Sequence, residues 1–158
     1  MLVVADTSSL IALAACDGLS LLDALFGQIK VPSAVYEEST VEGRPYSSEL
    51  RTYLGTKVVA VDMAQVVIAA PGLGAGELEA MALYKQLHAD RLLIDDARAR
   101  RIAQLNHILV IGSIGVLIVA KQRGMLPLLR PSLELIQHAG IHISESLLQE
   151  ALKVAEEA

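Results

Sequence analysis

The sequence predicts an α/β fold of three layers, α/β/α, around a central and mostly parallel sheet. Three observations carry this expectation. Short aliphatic runs at residues 2–5, 92–94 and 108–111 show no polar alternation, as expected of strands buried on both faces. Helix-length segments separate these runs, and β-α-β-α alternation builds a parallel sheet with helices on both faces. The hydrophobic share of 53% is mostly Ala, Leu, Val and Ile, with no Trp and one Phe, which is unlike an aromatic-rich β-sandwich. The 158 residues suffice for one domain with a substantial core.

Residues 2–5 form the first strand, and Asp6-Thr7-Ser8-Ser9 then offers N-cap chemistry for a helix through Ala15. Gly18 separates it from a short helix at 19–26. A strand at 29–31 stops at Pro32, and a helix containing Val35, Tyr36, Glu37 and Glu38 follows. Residues 40–47 are a polar turn region, 47–54 a helix and 57–61 a strand; 62–71 is open between helix and strand. The run Pro71-Gly72-Leu73-Gly74-Ala75-Gly76 is a loop, and residues 77–88 form a helix with two glutamates in its first turn. Strand 92–94 leads to a helix at about 97–105, and strand 108–111 to the turn Gly112-Ser113-Ile114-Gly115. Three helices close the chain: 116–123, one begun near Pro131 and ended at Gly140, and an amphipathic helix at about 144–157. The expectation is a single domain over 1–158, with the C-terminal helical segment, about 116–158, packing on it. There is no internal repeat, linker or low-complexity tract.

Charge and composition narrow the function. The net charge of −5 is not the basic footprint of stable nucleic-acid binding, so any such contact must be local or made through a metal. No apolar run reaches the ~20 residues that span a bilayer. Leu13-Ala14-Ala15-Cys16 resembles a lipoprotein cleavage site, but nothing basic precedes it and Asp6 interrupts the apolar stretch. Cys16, the single cysteine, is expected to be a core thiol on a helix, and the protein is expected to be cytoplasmic.

The carboxylates carry the chemistry. Asp6 ends the first strand and Asp95-Asp96 end a later one, where ligands bind in open α/β sheets. Glu37 and Glu38 follow Pro32, and Glu77 and Glu79 open the helix after the glycine loop. Acids converging on one rim would repel one another, and a hard divalent cation such as Mg²⁺ or Mn²⁺ relieves that repulsion while keeping waters for a phosphate. The implied chemistry is metal-assisted hydrolysis.

Five segments in order resemble the PIN-domain nucleases, and within them the small prokaryotic PIN-like proteins related to VapC toxins. They are Val3-Val4-Ala5-Asp6-Thr7-Ser8-Ser9-Leu10-Ile11; Val31-Pro32 with Val35-Tyr36-Glu37-Glu38; Leu73-Gly74-Ala75-Gly76-Glu77-Leu78-Glu79-Ala80; Leu93-Ile94-Asp95-Asp96-Ala97-Arg98-Ala99-Arg100; and Ile111-Gly112-Ser113-Ile114-Gly115-Val116-Leu117, with Ser where the family has Thr. The resemblance implies a PIN-like fold and a Mg²⁺- or Mn²⁺-dependent endoribonuclease acting on RNA. It also implies frequent homodimers and, in toxin members, a small antitoxin partner. Carried onto this chain, it makes Asp6, Glu38, Glu79 and Asp95 or Asp96 the metal ligands, with Asp96 ranked above Asp95. Glu79 fits the usual third acidic position better than Glu77, although most relatives place Asp there. Residues two apart on a helix point about 200° apart, so Glu77 joins Glu79 at one metal only if regular helix begins after Glu77.

Thr7, Ser8 and Ser113 are candidates to support the acids or merely to cap helices. Arg98, Arg100 and Arg101 are candidates to hold substrate phosphates or to pave a solvated helix face. His88, His107, His138 and His142 lack ligand spacing, so no zinc site is expected. Two other classes compete with a nuclease. A haloacid-dehalogenase-type phosphatase needs a second aspartate two residues after the first, where Ser8 stands. A non-catalytic binding module would keep the acids as a degenerate pocket.

Overall fold

The computed structural model describes residues 1–65 and 68–158. Strands β1 (Leu2–Ala5), β2 (Gln28–Pro32), β3 (Val58–Val59), β4 (Arg91–Leu93) and β5 (Val110–Ile111) form one sheet in the order β3-β2-β1-β4-β5. Every pairing among the described residues is parallel. The helices are α1 (Thr7–Ala15), α2 (Leu19–Phe26), α3 (Ser33–Ser39), α4 (Ser47–Leu54), α5 (Ala75–Leu87), α6 (Ala97–Leu105), α7 (Ser113–Gln122), α8 (Arg130–His138) and α9 (Glu145–Val154). A 3₁₀ turn at Met63–Gln65 falls in the stretch that the sequence leaves open. The rest of that ambiguity includes residues 66 and 67, which lie outside the described residues.

The chain steps from β1 outward to β2 and β3, then crosses back to β4 on the other side of β1. Helices pack on this sheet to give the three layers of an α/β/α fold, with α3 meeting both α1 and α5. α5 packs across β1, β2 and β4, while α1 packs against α4, α7 and α8. The switch in strand order lies between β1 and β4, where α/β sheets open a crevice. The register pairs Ala5 with Leu93, and the Asp6 amide donates to the Leu93 carbonyl at 2.9 Å. The acids that follow β1 and β4 are thus placed at one crevice by strand pairing.

Val3, Val4, Ala5, Val31, Leu92 and Leu93 are fully buried, which explains their lack of alternation. Leu10 and Leu13 of α1, Met81 and Leu83 of α5, and Leu133 and Ile136 of α8 join the same core. Two helices begin earlier than the sequence suggests. α5 starts at Ala75, so Glu77 is its third residue, and α7 starts at Ser113, capped by extended Gly112. Among the described residues no single helix is long and apolar enough to cross a membrane.

A carboxylate near the C-terminus ties three helical segments together. Glu157 accepts from the Lys121 ammonium at 2.6 Å, the Leu129 amide at 2.7 Å and the Arg130 amide at 3.0 Å, at the start of α8. Burial alone raises its pKa, but these donors outweigh it and hold the group at about 2 instead of 4.5. A depressed carboxylate contributes stability above its unfolded pKa and loses it as pH falls through the folded value. Glu157→Gln is therefore expected to lower the melting temperature at pH 7, with a loss of about 1–3 kcal/mol for the weakened charged hydrogen bonds. That penalty should shrink between pH 4.5 and 2, a window read directly from thermal melts.

Candidate active site

Asp6 is the N-cap of α1 and is only 3% exposed. Its Oδ1 accepts from the Thr7 amide at 2.6 Å and its Oδ2 from the Ser8 hydroxyl at 3.0 Å. Burial pushes its carboxyl up to about 6; the Ser8 and Thr7 bonds pull it down, and the charges of Glu77 and Asp95 push it further up. Two of the residues singled out as supporting thus hold Asp6 directly. Thr7 also spans to a second acid, its hydroxyl donating to Glu38 Oε2 at 2.9 Å. Glu38 Oε1 accepts from the Gly76 amide at 3.1 Å, which ties α3 to the first turn of α5.

Glu77 folds back on its own helix, with Oε2 accepting from the Gly74 amide at 3.1 Å. Asp96 caps α6, its Oδ2 accepting from the Ala99 amide at 2.8 Å. Asp6, Glu38, Glu77 and Asp96 line one cleft of about 400 Å³ together with Thr7, Ser8 and Gly76. No histidine or cysteine lines it, and neither salt bridge among the described residues, Lys57–Asp23 or Lys121–Glu157, reaches it.

The other acids point elsewhere. Regular helix begins before Glu77, so Glu77 and Glu79 cannot share a face. Glu79 turns toward α3, where its Oε1 takes a long 3.4 Å contact from the Ala34 amide, and it is not among the residues lining the cleft. The ranking of Glu79 above Glu77 thus meets a geometry in which Glu77 faces the acids. Asp95 spends both oxygens on Ser113, at 2.7 Å to its amide and 2.7 Å to its hydroxyl. Ser113 therefore braces Asp95 at the start of α7, and the pair lines a neighbouring apolar cavity of about 470 Å³ with Ile114, Ile118 and Ile143. Glu37 is not in the cleft.

The donor set can be tested against a cation. Among the described residues, no three of these side chains are already drawn into a closed ligand shell. Each carboxylate instead holds a local amide or hydroxyl, while Glu77 Oε1 and Asp96 Oδ1 take no protein donor among the described residues. The cleft thus offers only hard oxygen donors, with no side-chain ion pair and two oxygens without a donor among the described residues. That chemistry fits a hard divalent ion and not a soft one.

A family model described as a PIN domain matches residues 2–157, nearly the whole chain. The chain belongs to the PIN-domain family. No curated protein and no solved structure matches it. PIN domains are typically metal-dependent nucleases that act on nucleic acids, and the acid-lined cleft at the β1/β4 crevice lies where such chemistry would sit.

In this PIN domain the three arginines after Asp96 do not line the acid cleft. Arg98 clips the glycine loop, donating to the carbonyls of Gly72 at 3.4 Å and Pro71 at 3.3 Å. Arg100 lines the apolar cavity beside Asp95, and Arg101 is exposed. The cation that does line the cleft is Arg44, from the polar turn region before α4. Nothing in the local sequence marks it, because only the folding of residues 40–46 over α3 brings it to the acids.

Proposed function

We propose that this PIN domain is a divalent-metal-dependent endoribonuclease. Asp6, Glu38, Glu77 and Asp96 would hold Mg²⁺ or Mn²⁺, and RNA phosphodiester bonds are its substrate. The observation that carries the reading is a buried strand-end carboxylate, Asp6, sharing one cleft with three further acids and no paired cation there. When bound, the ion would activate water and neutralise charge on the phosphate oxygens. The chain's own part is orientation: Ser8 and the Thr7 amide fix Asp6, and the Thr7 hydroxyl and Gly76 amide fix Glu38. The resemblance to VapC proteins extends the proposal to a toxin-like role, with a homodimer and a small antitoxin-like partner.

The test is cleavage of single-stranded RNA with and without Mg²⁺ or Mn²⁺, repeated on Asp6→Asn. Full activity in that variant sinks the site, and phosphatase activity on small phosphoesters in its place would revive the phosphatase reading. Expression in cells should arrest growth if the role is toxin-like, and Asp6→Asn should relieve it. The two glutamates of α5 separate sharply. Glu77→Gln is expected to slow cleavage by about 10–100-fold, as for a group that tunes a metal site. Glu79→Gln should stay within about threefold by the same standard, because its carboxylate faces the α3 amides. Equal rates in the two variants, measured with saturating metal, would remove Glu77 from the site.

A further inference from the structure

Four carboxylates repel the phosphates of an RNA strand, and a divalent ion offsets only part of that charge. Something cationic must hold the strand at the rim. We infer that Arg44 is a phosphate-binding residue, forming an RNA-backbone subsite at the mouth of the acid cleft; this rests on the nuclease reading above.

Arg44 lines the cleft and is the basic residue that does so among the described residues. One nitrogen, Nη1, donates to the Glu38 carbonyl at 2.8 Å. A guanidinium carries five N–H donors in a planar fork, and among the described residues only Nη1 is engaged, which leaves donors for an anion. The anchor matters because it holds the fork against the cleft wall at the residue that also supplies a candidate ligand. It uses the backbone oxygen and leaves the carboxylate of Glu38 to Thr7 and Gly76.

The backbone under Arg44 is built rather than slack. The Arg44 amide donates to the Val41 carbonyl at 3.1 Å, and the Arg44 carbonyl accepts from the Ser47 amide at 3.2 Å, so two turns meet at this residue. Gly43 and Tyr46 on either side take positive φ values of 89° and 64°. Tyr46 is a bulky residue in the left-handed region, a conformation kept only where surroundings impose it. Arg51 of α4 ties the start of the segment by donating to the Thr40 carbonyl at 2.9 Å. An exposed arginine with a fixed base, one anchored nitrogen and an acidic cleft before it suits a phosphate that bridges to a bound cation.

The test uses a fluorescent single-stranded RNA and anisotropy in Ca²⁺ across a salt series, on the full chain. Arg44→Gln should weaken binding about tenfold or more. It should also lower the slope of log affinity against log salt by about 0.7–1, one phosphate contact. Arg44→Lys should restore most of the slope but not all the affinity, having charge without the fork. Lys153→Gln, the same charge change on exposed α9, should leave the slope as it was. A merely structural arginine would lower the melting temperature and leave the slope unmoved. An unchanged slope and affinity in Arg44→Gln, or no RNA binding by the unaltered chain, overturns the inference. Asp6-dependent cleavage that survives such a result would leave the nuclease reading standing. Arg44-dependent binding without cleavage would do the reverse.

Discussion

Asp6→Asn is expected to reduce metal-dependent RNA cleavage by about a thousandfold, the upper range for removing one electrostatic group at a site of developing charge. The variant should nevertheless fold. Asn is isosteric, its amide oxygen can accept from the Thr7 amide, and its nitrogen can donate to the Ser8 oxygen. It should even be more stable than the unaltered chain when metal is withheld. Burial raises the Asp6 carboxyl from 3.8 to about 6, so the folded state holds its proton to higher pH than the unfolded state. Stability is therefore present at pH 4, falls as pH rises toward 6, and remains lost above it. At ~1.4 kcal/mol per pKa unit this is on the order of 3 kcal/mol. Melting curves at pH 7.5 should show metal-free Asp6→Asn above the metal-free parent, with the gap closing near pH 4. Mn²⁺ should raise the parent and leave the variant unmoved. A parent that Mn²⁺ does not stabilise, with unchanged cleavage in the variant, would falsify the ligand role; metal-free melts of parent and variant that coincide at pH 7.5 would remove the raised pKa.

How far the site was legible in the chain follows from what positions each residue. Asp6 was legible because an acid closing an aliphatic run has one plausible address, the carboxyl end of a buried strand. The glycine loop and the acids beyond it were legible as a group because a Pro/Gly run marks a loop and the first turn of the helix after it favours anions. The choice between Glu77 and Glu79 was not, because it turns on whether α5 starts at Ala75 or at Glu77, and helix starts shift by a residue or two without any strong local signal. The Asp95-Asp96 doublet is similar. Asp96 caps α6, while Asp95 accepts from the Ser113 amide and hydroxyl, and only the early start of α7 at Ser113 reveals what Asp95 holds. Arg44 was out of reach, since its place depends on two successive turns with positive φ that no short motif encodes. The start of α6 is dense in arginine, yet density says nothing about direction, and Arg98 spends its guanidinium on loop carbonyls.

Gly76→Ala is expected to separate stability from activity most cleanly. Gly76 is the second residue of α5, where an alanine is ordinarily preferred by about 0.5–1 kcal/mol. The helix should gain from the change, which offsets part of the two hydrogen bonds that Glu38 gives up, so the melting temperature should fall only slightly. The site should lose. A Cβ at this position would stand 2.5 Å from Glu38 Oε2, 2.8 Å from Oε1 and 2.9 Å from Cδ, on top of the whole carboxylate. The side chain is flexible enough to swing aside, so the fold absorbs the clash cheaply. To do so it must leave the Gly76 amide and the Thr7 hydroxyl, the two donors that aim it. Misplacing a reacting group by about 1 Å can cost about 100-fold, so cleavage should fall by that order with little change in unfolding. Gly74→Ala supplies the comparison two residues earlier. Its Cβ would come no nearer than 3.8 Å to Glu77 Oε2, an ordinary contact, and its φ of −71° suits any residue. That variant should cleave RNA like the parent. If Gly76→Ala also cleaves like the parent, Glu38 does not need the position that Thr7 and Gly76 give it, and the acid cleft must work through Asp6, Glu77 and Asp96 alone.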